Sequence, residues 1–199
     1  MTTVARRLAI VLLALTTAAC ALTNTGDPSV AATVGDVRLP TSQIDRFFES
    51  ISSSEAYQQQ PQQDDMQVQL ELVTFLVRSE VFEYVAERNG AQVTDEQIDA
   101  AVEDQIEQAG GRDTFEQNLN QQGISEDLFV ELVRGQELQT AVQEEAGEGD
   151  FLTFVREQSA DLEVEVNPRY GAWNANNLTV QPTDPLPVPG EQASASPAP

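Results

Sequence analysis

Thirty-three carboxylates are the most abundant reactive groups in this 199-residue chain. Paired carboxylates can run glycoside hydrolysis, and clustered ones can hold calcium. Glu144 with Glu145, and Asp95 with Glu96, are neighbours of that kind. The first pair reads more simply as a solvated helical face, and the second as the acidic first turn of a helix. No D-x-[DN]-x-[DN]-G loop is present, and Gly147-Glu148-Gly149-Asp150 reads as a flexible break. All ten basic residues are Arg, there is no His, and Cys20 is the single cysteine. That composition excludes Ser-His triads, Cys-His pairs, His- or Cys-ligated zinc, a P-loop lysine and a Schiff base. The chain therefore reads as a non-enzyme with no cofactor, no catalytic residue and no metal site. A net charge of −23 argues against nucleic acid, and equally against electrostatic attraction to anionic lipid. The remaining chemistry is apolar. Phe47, Phe48, Phe75, Phe82, Phe115 and Phe129 either line a groove or fill a core, and sequence alone leaves both open. Tyr170 and Trp173 are read in the same two ways, with a core plug the simpler use for the lone Trp.

The N-terminus supplies another kind of contact. Arg6 and Arg7 precede Leu8 to Ala19, an uncharged, mostly apolar run. Twelve residues are too few for a bilayer, which needs about 20 in a helix, but suit the apolar region of a signal peptide. No fuller twin-arginine motif surrounds the two Arg. The run ends at Thr17-Ala18-Ala19-Cys20, which resembles the lipobox of bacterial lipoproteins. Thr17 departs from the aliphatic residue usual three positions before the cysteine. The resemblance implies a signal peptide over 1–19 and lipidation at Cys20. Ordinary secretion with a fortuitous cysteine is the alternative. Removing 1–19 deletes two Arg and no acid, so the charge moves from −23 to −25. Two acyl chains suffice for stable anchoring. Residues 20–29 then form a small, polar tether.

Any binding surface must be built by the body, residues 30–177. Val30 to Leu39 places β-branched residues around Gly35-Asp36, a hairpin signal. Pro40-Thr41 opens a helix with Thr41 as N-cap, and Ile44, Phe47, Phe48 and Ile51 form its apolar stripe. Ser52 to Gln63 is polar, repetitive and broken by Pro61, so it reads as an exposed loop. Asp64 to Arg88 is apolar on most sides, with Met66, Leu70, Val73, Val77, Val81 and Tyr84 along one face. It is expected to be the hub of the core. Thr94 to Gln97 is a capping box. The helix after it has a narrow stripe of Ile98, Val102 and Ile106, and Gly110-Gly111 ends it. Asp113 to Gln122 is a short helix. Ser125 caps the next, which runs to about Ala146 with Leu128, Leu132, Leu138 and Val142 inward. Phe151 to Asp161 has room for one more. Leu162 to Asn167 alternates as a strand, with Leu162, Val164 and Val166 inward. Residues 178–199 are rich in Pro, Ala and Ser and read as a disordered tail.

Three stretches together resemble the SurA/PrsA chaperone family, related in fold to the client-binding region of trigger factor. They are Ala31 to Val37 with Leu39-Pro40-Thr41, Gly110 to Phe115 with Leu119, Gly123-Ile124-Ser125, Leu128 and Val133-Arg134, and Val164 to Trp173. The likeness spans roughly residues 30–175. It implies a mostly α, multi-helix SurA N-terminal or trigger-factor-like domain, closed by a small hairpin or sheet in which the last strand returns to the first. Many members insert a parvulin prolyl isomerase domain before that strand. Here only Phe151 to Asp161 occupies the interval, and the body has neither the His nor the Cys such a site uses. The resemblance thus implies a chaperone module without isomerase activity. It would be anchored at the extracytoplasmic face of a bacterial cell membrane through Cys20, with unfolded or exported polypeptides as partners. An envelope module that binds one folded partner is the alternative.

Overall fold

The computed structural model describes residues 27–59 and 64–183. The expected signal segment, Cys20, most of the tether and residues 184–199 lie outside the described residues. The described chain is mostly helical, with two small antiparallel sheets.

β1 (Val30–Val34) and β2 (Val37–Pro40) form the hairpin expected around Gly35-Asp36, with Val34 opposite Val37. Gly35 takes φ 56°, the positive φ that a two-residue hairpin turn asks of its first residue. α1 (Thr41–Ser52), α2 (Glu55–Gln58), α3 (Asp65–Arg88), α4 (Asp95–Gln108), α5 (Arg112–Gln122), α6 (Glu126–Ala146) and α7 (Phe151–Gln158) follow. The chain closes with β3 (Val164–Val166), β4 (Ala172–Asn174) and β5 (Thr179–Gln181). β3 returns to β1 as expected, pairing Ala32 with Val166 and Val34 with Val164. The first sheet is thus ordered β2-β1-β3, and β4 pairs with β5 in the second.

α3 is the hub. Val73, Val77, Val81 and Val85 are each at most 1 % exposed, one residue per turn down a single side. Leu70, Leu72, Leu76, Phe82 and Ala86 are buried on its other sides. Each such valine contributes about 1.5–2 kcal/mol by leaving water. α6 is its largest helical partner, and α1, α7, β1 and β5 also pack on it. A second, smaller core joins α4, α5 and α6 through Ile98, Val102, Ile106, Phe115, Leu119 and Val133. There Phe115 and Phe129 meet edge to face at 4.8 Å. Helix ends follow sequence. The Thr94–Gln97 capping box forms with both reciprocal bonds. Gly110 (φ 90°) reverses the chain after α4, so that Gly111 N–H reaches Ile106 C=O.

Several expectations need correction. Pro40, not Thr41, caps α1; the Thr41 hydroxyl instead donates to the Pro28 carbonyl at 2.9 Å, tying the entry strand down. The loop expected at 52–63 contains α2. Ser54 caps it, and Tyr57 sits edge-on to Phe48 at 6.4 Å, so one aromatic seat orders a polar segment. The Tyr57 hydroxyl donates to Asp65, and that bond pushes its pKa up to about 12. Met66 and Leu132, both expected inward, are 69 % and 38 % exposed. Val133 takes the inward place in α6 because that helix must also face the second core. The folded body extends past 177. Leu178 and Val180 are 2 % and 4 % exposed, so residues 178–181, expected as the start of a tail, belong to the folded body, and the rest of that expectation from 184 onward lies outside the described residues. The Pro-rich composition that suggested a tail starts only at Pro182.

Candidate functional site

A groove of mixed polarity runs along α3, between α6 on one side and β5 on the other. Its face of α3 carries Leu70, Thr74, Arg78 and Phe82, four apart and therefore stacked along one stripe, with Phe75 three before Arg78 beside it. The groove has two hollows of about 290 Å³ each, which share Phe75 and Arg78. The first is walled by Leu132 and Gly135 of α6, the second by Thr179 and Val180 of β5.

Local sequence explains this shape. A Cβ at Gly135 would lie 2.8 Å from the Phe75 ring and 2.9 Å from Ser79 Oγ. Glycine there lets α6 approach α3 and leaves the ring lying across the seam. Ser79 Oγ donates back to Phe75 C=O at 3.0 Å, so its donor is used within the helix. Val180 N–H donates to Thr74 Oγ1 at 3.1 Å, pinning β5 beside the groove. Leu132 is exposed at the opposite rim. Arg78 is half-buried in the middle and makes no ion pair among the described residues. The site is a mixed trough: Phe75 and Leu132 are its accessible apolar groups, Gln67, Glu71, Gln136, Gln139 and Thr140 line it beside them, and Arg78 lies at its centre. Such a surface can hold apolar side chains of a peptide and one carboxylate.

Two other constellations do not converge on chemistry. A wider cleft of about 1010 Å³ lies between α2 and α5, with Glu55, Asp113 and Glu116 beside the amides of Gln59, Gln117 and Asn120. Its three carboxylates are exposed to water among amides and the Ser53 and Ser54 hydroxyls, with none withdrawn into an enclosed site. On the α3–α6 seam, Arg134 binds Glu80 at 3.2 Å and also Glu83, with Glu131 at 3.8 Å. Burial pushes the Glu80 pKa up, and the Arg134 charge only partly offsets it. Burial also works against the guanidinium, but Glu83 and Glu80 outweigh it and hold Arg134 above the usual arginine value. This is a structural clamp, because both carboxylates are spent on one cation. No group of three or more Asp or Glu is placed to hold a metal ion among the described residues. No described helix is long and apolar enough to cross a membrane.

The candidate phenylalanines divide. Phe47 and Phe115 are core at 1 % and 4 % exposure, and Phe48 and Phe129 pack half-buried against the cores. Phe82 is core as well, at 3 % exposure against Phe151, and only floors one hollow; Phe75 is half-buried and lines both. Tyr170 is buried beside Thr41, with the Arg169 guanidinium 4.7 Å above its ring, and burial raises its pKa. Trp173 sits on β4 opposite Val180, half-buried against the main core. Neither Tyr170 nor Trp173 lines the groove. Arg78, Leu132, Gly135 and Val180 were not legible as site residues. A glycine in mid-helix, which costs about 1 kcal/mol relative to alanine, is the one signal that pointed to Gly135.

A family model described as a SurA-like N-terminal domain matches residues 2–143 of this chain. That span takes in the N-terminal segment and everything from β1 into the last turn of α6, leaving α7 and β3 to β5 beyond it. No curated protein matches the chain.

Proposed function

We propose, from the premise that this chain belongs to the family of SurA-like N-terminal domains, that it is a holdase, anchored at the extracytoplasmic face of a bacterial membrane. Family membership supports a chaperone-type, non-catalytic module. The groove of Phe75, Phe82, Leu132 and Val180 is the observation that carries the finer reading. It is open, and it sets a few apolar groups among glutamines, threonines and Arg78. A client that buries about 200 Å² of apolar surface there would gain about 5 kcal/mol before ordering costs. Binding is therefore weak and reversible, as suits a protein that must release what it holds. The excess of acids keeps a loaded complex soluble. Lipidation at Cys20 would hold the body near the membrane as clients emerge. The chain has no His, and Cys20 precedes the body, so a parvulin-type isomerase site has nothing to be built from.

The test uses the chain from Ala21 to Pro199, which retains every described residue. Mixed near equimolar with a chemically unfolded client, it should suppress light scattering without accelerating a proline-limited refolding step. Leu132→Asp, at an exposed rim position, should lose most of that suppression while keeping its helical circular dichroism. A full-length Cys20→Ser chain should move from the membrane to the soluble fraction; retention would count against a lipid anchor.

One observation favours a second reading, an envelope module that binds a single folded partner. The apolar surface is small, two hollows of about 290 Å³ each, while the wider cleft of about 1010 Å³ elsewhere on the body is polar. Failure to suppress aggregation of several unrelated clients would make that module the better account.

A further inference from the structure

We infer that the groove is also the docking site for this chain's own proline-rich segment, Pro185-Leu186-Pro187-Val188-Pro189. The segment competes with whatever else binds there. That competition rests on the client reading above; the docking itself does not.

Position is the first reason. β5 is a wall of the groove, with Val180 N–H bonded to Thr74 on α3. The described chain therefore leaves the body within three residues of the site, at Thr183. Reach is the second. From Val180, six residues bring Leu186 up to about 20 Å away when extended. The groove from Thr74 to Phe82 is eight helical residues long, about 12 Å. The proline run can therefore lie over either hollow without straining the strand.

Chemistry is the third reason. Pro185, Pro187 and Pro189 have no N–H to satisfy and a fixed φ. A segment alternating proline with Leu186 and Val188 favours polyproline II and loses little entropy when it docks. Such segments bind aromatic-lined grooves, with alternate side chains filling pockets. Phe75 supplies the accessible aromatic face, shared by both hollows, with Leu132 exposed at the rim, and two adjacent hollows suit two apolar side chains. Charge is the fourth. Arg78 lies where the hollows meet and makes no ion pair among the described residues, in a chain of net charge −23. Asp184 immediately precedes the proline run and is the one acid between β5 and Pro189.

A short tether gives the segment an effective concentration of about 1 mM at the groove. Even a weak intramolecular contact then occupies the site for much of the time. Incoming ligand must displace it, which lowers apparent affinity by the fraction of open groove.

The experiment places p-benzoylphenylalanine at Leu186 in the chain from Ala21 to Pro199. Irradiation should give crosslinks within one chain to residues 70–82 and 132–140. Crosslinks elsewhere on the body, or only between differently isotope-labelled chains, would overturn the proposal. A second arm measures binding of an unfolded client by fluorescence anisotropy. Ending the chain at Thr183, or making Leu186→Asp with Val188→Asp, should tighten binding about two- to tenfold. Asp184→Asn should give a smaller gain. Crosslinks in the groove with unchanged client affinity would uphold docking and reject client binding there. Tighter binding without groove crosslinks would reject docking at this site.

Discussion

Arg134→Ala lowers the free energy of unfolding by about 3 kcal/mol at pH 7, measured by urea denaturation. The Arg134 side chain is three-quarters buried, with Glu80 at 11 % side-chain exposure on one side and Glu83 and Glu131 on others. Removing it leaves three carboxylates facing one another without a counter-charge. The loss depends on pH in a defined direction. Burial raises the folded pKa of Glu80 above its ordinary 4.5 even with Arg134 present. The folded state therefore binds that proton more readily than the unfolded state. Ionised Glu80 opposes folding at neutral pH, and the opposition fades as pH falls through the folded pKa towards 4.5. Without Arg134 the folded pKa rises further, so the deficit of the variant must narrow as pH falls from 7 towards 4.5. An equal deficit across that range would mean that only the packing of the arginine stem had been lost. Glu80→Gln should be neutral or stabilising at pH 7, since it removes the buried charge and leaves Arg134 two partners.

Gly171→Ala should cost about 3 kcal/mol or more, although it adds a single methyl group. Gly171 has φ 130°, and its added Cβ would lie 2.2 Å from the Gln181 carbonyl oxygen. That neighbour is backbone and cannot swing away. The β4–β5 pair must part, and with it go the burial of Leu178 and Val180 and the bond from Val180 to Thr74. Trp173, the only Trp and the cross-strand partner of Val180, reports the event directly. Its emission should shift to the red and the urea midpoint should fall. The groove loses its β5 wall in the same step, so client binding should weaken too. Wild-type emission and midpoint in the variant would refute this account of the hairpin.

What was legible in the sequence was whatever rests on local chemistry. Gly35-Asp36 between β-branched residues specified the hairpin, and Thr94 to Gln97 specified a helix start. The alternation from Leu162 to Asn167 announced a strand, and the family likeness placed it against β1. The valine column of α3 marked that helix as buried. What stayed hidden depends on tertiary neighbours. α2 is four residues in a glutamine-rich stretch, ordered by Ser54 and by the seat of Tyr57 on Phe48. β5 is three residues beside a proline-rich run, and it closes only because Leu178 accepts φ 54° to bury its side chain. Leu132 and Val133 compete for one inward direction, and the second core, invisible to helical periodicity, decides for Val133. The site was half legible for the same reason. Phe75 and Phe82 were among six candidates, but their selection rests on how closely Gly135 lets two helices approach.

The central strand of the first sheet is the earliest one made. β1 pairs with β2 across a two-residue turn, but its other edge waits for Val164 to Val166, more than a hundred residues later. Synthesis runs from the N-terminus, so a half-finished chain carries an open hairpin edge able to recruit any extended neighbour. Closing so long a loop is slow, and the delay falls on nearly the whole period of chain growth. The protein is therefore itself exposed to the hazard of unfolded chains until Val164 to Val166 arrive to seal the sheet.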